Sequence, residues 1–286
     1  MANPEFASLI EKLNAFLPQV PAAPDFKSHA AFRWIRRQTI LGHVSYLEPV
    51  KQIAEIHFAD LQHVDRQLEL VVRNTQQFLG RRPANNVLMT GARGTGKSSL
   101  VRACLTEFHR QGLRLIEVEK QDLVDLPRIV ECVTGVDYRF IVFCDDLSFE
   151  SGDAGYKALK TVLDGSIAAQ SDNLLIYATS NRRHLMPEQM SENLETRYEA
   201  SGEIHPGETA EEKISLSERF GLWVSFHSFN QQDYLDIVGH WLAHFGCSPA
   251  AIAQARQPAL QWALERGSRS GRVALHFARD WAGRDH

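Results

Sequence analysis

The chain has 286 residues, 44% of them hydrophobic and 23% charged, with a formal net charge of −4 at pH 7. That composition is globular and long enough for one large unit with a smaller one beside it, and it excludes a disordered chain. A net charge so near neutral gives no whole-molecule attraction to nucleic acid or an anionic membrane. The four cysteines, Cys104, Cys132, Cys144 and Cys247, form no C-x-x-C pair. They point to buried free thiols in a reducing compartment, away from zinc or disulfides. The N-terminal run MANPEFASLIEKL has no basic leader region, and no stretch approaches a membrane span, so a soluble cytoplasmic protein is expected.

In chain order, residues 4–17 suit a short amphipathic helix, broken by Pro18, Pro21 and Pro24. Residues 26–37 mix Lys27, Arg33, Arg36 and Arg37 with Phe26, Phe32 and Trp34. Cations among aromatics can bind single-stranded nucleic acid. The simpler expectation is a helix that buries the aromatics and leaves the cations in water. Apolar residues at three- and four-residue spacing predict helix over 45–79, closed by Gly80 and the Pro83 breaker. Five strands are then predicted: Asn86–Thr90, Leu113–Glu117, Phe140–Cys144, Leu174–Ala178 and Leu222–Phe226. Helical stretches between most of them imply an α/β fold with a five-stranded parallel sheet covered on both faces. Residues 184–217 form a long connection rich in glutamate, including Glu188, Glu195 and Glu208. Long connections are commonly mobile or functional. From Asn230 onward the pattern is helical, with breaks near Gly246 and Gly267, which predicts a small helical C-terminal unit.

The chemistry begins at Gly91-Ala92-Arg93-Gly94-Thr95-Gly96-Lys97-Ser98-Ser99, directly after the apolar Val87-Leu88-Met89. A strand, a G-x-x-x-x-G-K-S loop and a helix in that order are what a phosphate-binding P-loop requires. Gly91, Gly94 and Gly96 let the backbone wrap phosphates and aim N–H groups at them, and the following helix N-terminus adds a positive dipole end. Lys97 would reach the β- and γ-phosphates, and the Ser98 hydroxyl would hold Mg²⁺.

A second motif is the strand Phe140–Cys144 ending in Asp145-Asp146. A carboxylate at the C-terminal end of a parallel strand points into the crevice where ligands bind. Asp145 would complete the Mg²⁺ shell and Asp146 would position or polarise an attacking water, with Glu150 a rival for that second role. Strand Leu113–Glu117 lies between the two motifs in sequence, so the acidic strand is not the chain successor of the P-loop strand. Strand Leu174–Ala178 runs into Thr179-Ser180-Asn181, where a polar side chain could sit between the acidic pair and the γ-phosphate. This is the additional-strand arrangement of P-loop ATPases.

The strings NNVLMTGARGTGKSSL, FIVFCDDLSFE, YKALKTVLDG, IYATSNRRHL, SLSERFGLWVSF and GSRSGR together resemble the AAA+ superfamily, including its replication-initiator and helicase-loader branch. More closely they resemble a bacterial family of predicted AAA+ ATPases catalogued as a domain of unknown function, over roughly residues 38–280. The resemblance implies that Asn181 is the sensor-1 polar residue, with Ser180 and Thr179 as neighbours able to share the role. It implies that Arg219, in Ser-Glu-Arg-Phe-Gly, is an arginine finger reaching a neighbouring subunit's γ-phosphate. A local ion pair with the acidic insert is the alternative. Arg272 resembles the lid's sensor 2, with Arg269 competing. Leu61–Asp65 falls where the superfamily contacts adenine, and His63 departs from the glycine often found there. The Arg182-Arg183-His184 cations could bind phosphate or DNA, or pair with nearby glutamates. The histidines show no zinc-binding spacing.

The implied organisation is a helical N-terminal region at 1–57, an AAA+ core at 58–228 and a helical lid at 229–286. The implied function is binding of ATP (and ADP) with Mg²⁺ and its hydrolysis by a homo-oligomer assembled through Arg219, coupled to remodelling or loading of an unidentified protein or nucleoprotein partner. Two alternatives stand beside it: a nucleotide-gated binding module with little turnover, and a small-molecule phosphotransferase. Neither nucleic acid nor a membrane is indicated as a partner by the charge.

Overall fold

The computed structural model describes residues 23–39, 42–149, 153–164, 172–181, 197–198, 204–205 and 216–284. The segments expected at 4–17, Glu150, Arg182, Arg183, His184 and most of the acidic connection lie outside them. The N-terminal part is a hairpin, β1 (Ala31–Thr39) and β2 (Gly42–Pro49). Helix α1 (Asp65–Leu79) leads to β3 (Val87–Gly91), α2 (Lys97–Phe108), β4 (Leu113–Glu117) and α3 (Leu126–Val133). Then come β5 (Arg139–Cys144), α4 (Ala154–Leu163) and β6 (Leu174–Ser180). A two-residue ladder, β7 (Arg197–Tyr198) with β8 (Ile204–His205), stands apart from the main sheet. Strand β9 (Leu222–Phe226) closes the α/β part, and α5 (Gln231–His244), α6 (Pro249–Glu265) and α7 (Gly271–Ala282) follow.

The main sheet has seven strands in the order β2-β1-β4-β5-β6-β3-β9, parallel throughout except for the β1–β2 pair. Within it β6 separates the P-loop strand β3 from the acidic strand β5, the additional-strand order expected from the sequence. Strands β3, β5 and β6 are near-continuous apolar runs because both faces are covered. Val87, Met89, Ile141, Phe143 and Tyr177 face α1 and α2, while Leu88, Phe140, Val142, Ile176 and Ala178 face α3 and α4. The first of these layers runs on through Phe226 and Phe229 to Tyr234, Val238, Ala259 and Phe277, so the C-terminal helices share a core with the sheet. The helix ends fall at the glycine breaks: Gly80 caps α1, and Gly246 (φ 82°) and Gly267 (φ 63°) follow α5 and α6.

Two expectations are corrected. The helix expected over 26–37 is instead a turn leading into strand β1, and the helix expected over 45–79 begins only at Asp65, with residues 45–49 in β2, so the sheet gains two strands over the predicted five. Phe32 and Trp34 are buried while Arg33 and Arg37 are exposed, a two-residue alternation that suits a half-buried strand. The hairpin is tied down by Asp125 just before α3, whose Oδ2 accepts from Trp34 Nε1 at 3.2 Å and Ser45 Oγ at 2.8 Å. The second correction concerns thiols: Cys104 and Cys144 are buried, but Cys132 is exposed and Cys247 intermediate. Burial pushes the Cys104 and Cys144 thiols up to about 12, which leaves them protonated and inert. Among the described residues no helix is long and apolar enough to cross a membrane.

Candidate functional site

The site forms at the C-terminal ends of β3, β5 and β6. Gly91 ends β3 at φ 132°, and a Cβ there would lie 1.9 Å from the Phe226 carbonyl oxygen of β9, so no other residue fits. Thr95 Oγ1 donates to the Ala92 carbonyl at 2.8 Å and closes the loop on itself. Lys97 opens α2 and is only 6% exposed. Its ammonium donates to the Gly91 and Ala92 carbonyls, each at 2.7 Å, and to Asn181 Oδ1 at 3.1 Å. Burial pulls the Lys97 ammonium below the usual lysine value, while the Asp145 and Asp146 carboxylates push it back up.

Asp145 and Ser98 meet directly, the hydroxyl donating to Asp145 Oδ1 at 2.6 Å. The same oxygen accepts from Thr179 Oγ1 at 2.5 Å. A hydroxyl and a carboxylate in contact are hard oxygen donors, the set that holds Mg²⁺ through one or two protein ligands while water and phosphate fill the rest. Among the described residues no cluster of His, Cys, Asp or Glu offers a richer metal site. Ser98 and Asp145 therefore fit the ion.

Asp146 has a left-handed backbone, φ 53°, which asparagine and aspartate tolerate better than most side chains. Thr179 holds it there by accepting from the Asp146 amide at 2.9 Å. Asn181 Nδ2 donates to Asp146 Oδ1, and Arg93 Nη2 stands 3.7 Å from Oδ2. Of the three polar residues ending β6, Asn181 reaches both Lys97 and Asp146, whereas Thr179 braces the acidic pair and Ser180 is buried. That bracing role for Thr179 was not foreseen; a hydroxyl at a strand end beside an acidic pair was its only signal.

The C-terminal helices come down onto the loop. Gly271, the first residue of α7, donates its amide to the Gly94 carbonyl at 2.8 Å. Gly94 (φ 72°) has Ser270 Cβ only 2.8 Å from where its own Cβ would be, so glycine is required by both conformation and space. The Arg272 stem lies against the same point, whereas Arg269 lines an open cleft of 630 Å³ between the loop and α6, together with Arg93, Phe229, Leu260 and Leu264. On the other side Leu61 reaches Gly96, and His63 adopts φ 59°, the conformation that favours glycine at this turn. The His63 ring stands 3.5 Å from Asp233 and 3.3 Å from Asp236 on α5, pairings that sequence distance concealed.

The structure thus brings Lys97, Ser98, Asp145, Asp146, Asn181 and Arg93 together, with Arg272 beside them. It does not bring Arg219 there. Among the described residues Arg219 pairs through Nε with Asp164, which caps the end of α4; the acidic connection that could also hold it lies largely outside them.

Comparison with solved structures finds low-identity likenesses. A point mutant of Thermotoga maritima RuvB aligns with TM-score 0.47 and 10% identity over 82% of this chain and 76% of its own. The E. coli MS115-1 HORMA:CdnC:Trip13 complex gives 0.47 and 12% over 77% and 89%, and Aeropyrum pernix ORC1 in complex with DNA gives 0.48 and 14% over 81% and 61%. Likenesses this distant carry no functional information; the additional-strand P-loop type of fold stands on the strand order and the loop geometry. A search of curated proteins finds no match. A family model described as "Protein of unknown function (DUF815)" matches residues 27–285, and the chain belongs to that family.

Proposed function

We propose that this chain binds ATP with Mg²⁺ in the P-loop and hydrolyses it, driving the remodelling or loading of a protein or nucleoprotein partner. The observation that carries the reading is the linked set Lys97–Asn181–Asp146 beside Ser98–Asp145. One network joins the loop's cation, the sensor-position amide and the water-positioning carboxylate; the other joins the two metal-binding oxygens. Phosphoryl transfer to water needs these roles within one γ-phosphate's reach.

Lys97 would exchange its carbonyl partners for β- and γ-phosphate oxygens, and the amides at the start of α2 would hold the phosphate chain. Asp145, already engaged by two hydroxyls, is poorly placed to take a proton, which among the described carboxylates of the site leaves Asp146 to orient the water. Mg²⁺ on Ser98 and Asp145 would neutralise charge developing on the phosphates. The Gly94–Gly271 hydrogen bond supports a lid, residues 229–286, that feels the state of the loop.

A homo-oligomer in which Arg219 serves a neighbouring copy is part of the proposal, as are a cytoplasmic location and a core at 58–228 that the hairpin β1–β2 extends, in place of a separate helical region at 1–57. Trp223, 40% exposed on edge strand β9 close to Arg219, supports an interface on that edge. A binding module with little turnover is the second reading, favoured by the restraint of Asp146 by Asn181 and Arg93.

The test is phosphate release from ATP by the purified chain with and without Mg²⁺, alongside ATP and ADP affinity. Mg²⁺-dependent release that continues over many turnovers supports hydrolysis. Tight ATP binding without release selects the binding module, and no nucleotide binding at all sinks both readings.

A further inference from the structure

The contacts around the γ-phosphate position begin and end on the phosphate loop. Lys97 Nζ donates to Asn181 Oδ1 at 3.1 Å, Asn181 Nδ2 donates to Asp146 Oδ1, and Asp146 Oδ2 faces Arg93 Nη2 at 3.7 Å. The Lys97 end is buried. The Arg93 end is open, with 78% of the Arg93 side chain and 57% of the Asp146 side chain exposed. A contact longer than a hydrogen bond between exposed groups contributes little stability and exchanges readily. The backbone beside Arg93 is less free, because the Gly94 carbonyl is bonded to Gly271 of the lid. Side-chain rotation is therefore the motion open to Arg93.

A terminal phosphate carries more charge than a carboxylate and matches the planar guanidinium fork. We propose that Arg93 is a γ-phosphate ligand supplied in cis: when a nucleoside triphosphate fills the loop, its guanidinium leaves Asp146 for the γ-phosphate oxygens. Asp146 Oδ2 is then free to hold the attacking water. This rests on the reading of the site as one that hydrolyses ATP. In the step served, the water oxygen forms a bond to the γ-phosphorus as the bond to the β–γ bridging oxygen breaks. The electron pair leaves with ADP, and the water proton passes to Asp146 and on to the product phosphate.

Two consequences follow from the geometry. ADP offers no γ-phosphate, so it leaves the Arg93–Asp146 pair in place and the loop discriminates triphosphate from diphosphate through this residue. A single chain also holds one arginine for its own reaction, independently of Arg219.

The experiment compares wild type, Arg93→Ala and Arg93→Lys for affinity toward a non-hydrolysable ATP analogue and toward ADP, each with Mg²⁺, and for single-turnover phosphate release from ATP. Arg93→Ala is expected to weaken the analogue about tenfold while moving ADP by less than about twofold, the loss of one charge-assisted contact to the γ-phosphate. Phosphate release should fall on the order of 100-fold, below the span of a full trans arginine finger. Arg93→Lys should recover most of the affinity and little of the rate, since a point charge lacks the fork. Equal weakening of both nucleotides would overturn the assignment, making Arg93 a loop-shaping residue. Release as fast as wild type or faster would overturn it too, leaving Arg93 only a restraint on Asp146. Wild type that binds the analogue but releases no phosphate would overturn the hydrolysis reading itself. Normal wild-type release with an indifferent Arg93→Ala protein would overturn this inference alone.

Discussion

The loop side of the site and the β9 edge each carry arginine, and they stand in different states. On the loop side Lys97, Asn181, Asp146 and Arg93 already touch in sequence within one chain, with Ser98 and Asp145 joined next to them. At the edge Arg219 is engaged by Asp164, which caps the end of α4 and is not one of the phosphate-site residues. The first region is built by strands that lie side by side, so its geometry is complete as soon as the sheet forms. The second holds its arginine, 23% exposed, in an ion pair at the end of α4 beside an edge strand. On the proposed reading, the difference separates what one chain does alone from what assembly would add.

Three substitutions break or sharpen that contrast, from the largest effect down. Arg219→Ala should leave ATP affinity of the free chain within about twofold while lowering turnover of the assembled form by about 10³-fold, the low end for an arginine finger. Equal turnover in the assembled form would place Arg219 in a structural pair with Asp164 and nothing more. Lys97→Ala removes the buried cation that anchors the loop side, and ATP affinity measured by calorimetry should fall by at least about 100-fold with the fold intact by circular dichroism. Trp34→Phe touches neither region; it removes the indole bond to Asp125 and should cost about 1 kcal/mol in denaturant unfolding, with ATP turnover unchanged. A turnover change in that variant would mean that the β1–β2 hairpin is coupled to the site.

The loop side was legible because its parts are local strings that meet by a known topology. A glycine loop, a Lys-Ser pair and an acidic strand end each announce their chemistry, and β6 between β3 and β5 brings Asn181 to them. The edge hairpin was not legible. Phe32, Trp34, Arg33 and Arg37 fit a helical stripe as well as an alternating strand, and only pairing with β4 and burial against Asp125 decide between them. The Arg219–Asp164 pair was hidden for a related reason, since Asp164 ends a helix far upstream. His63 is intermediate: a residue in a glycine's place signals an unusual turn, but its pairing with Asp233 and Asp236 needed α5 packed beside that turn.

The central claim is that one chain's own side chains form a working hydrolytic site around Asp146. The most direct measurement is ATP affinity together with multiple-turnover phosphate release for Asp146→Asn, an isosteric change that keeps a hydrogen-bonding group beside Asn181 and removes the carboxylate. The account predicts affinity within about threefold of wild type and release lowered by at least about 100-fold, the scale of a lost general base. Release equal to wild type would contradict it and would move the water-positioning role to another carboxylate, with Glu150 the first to examine.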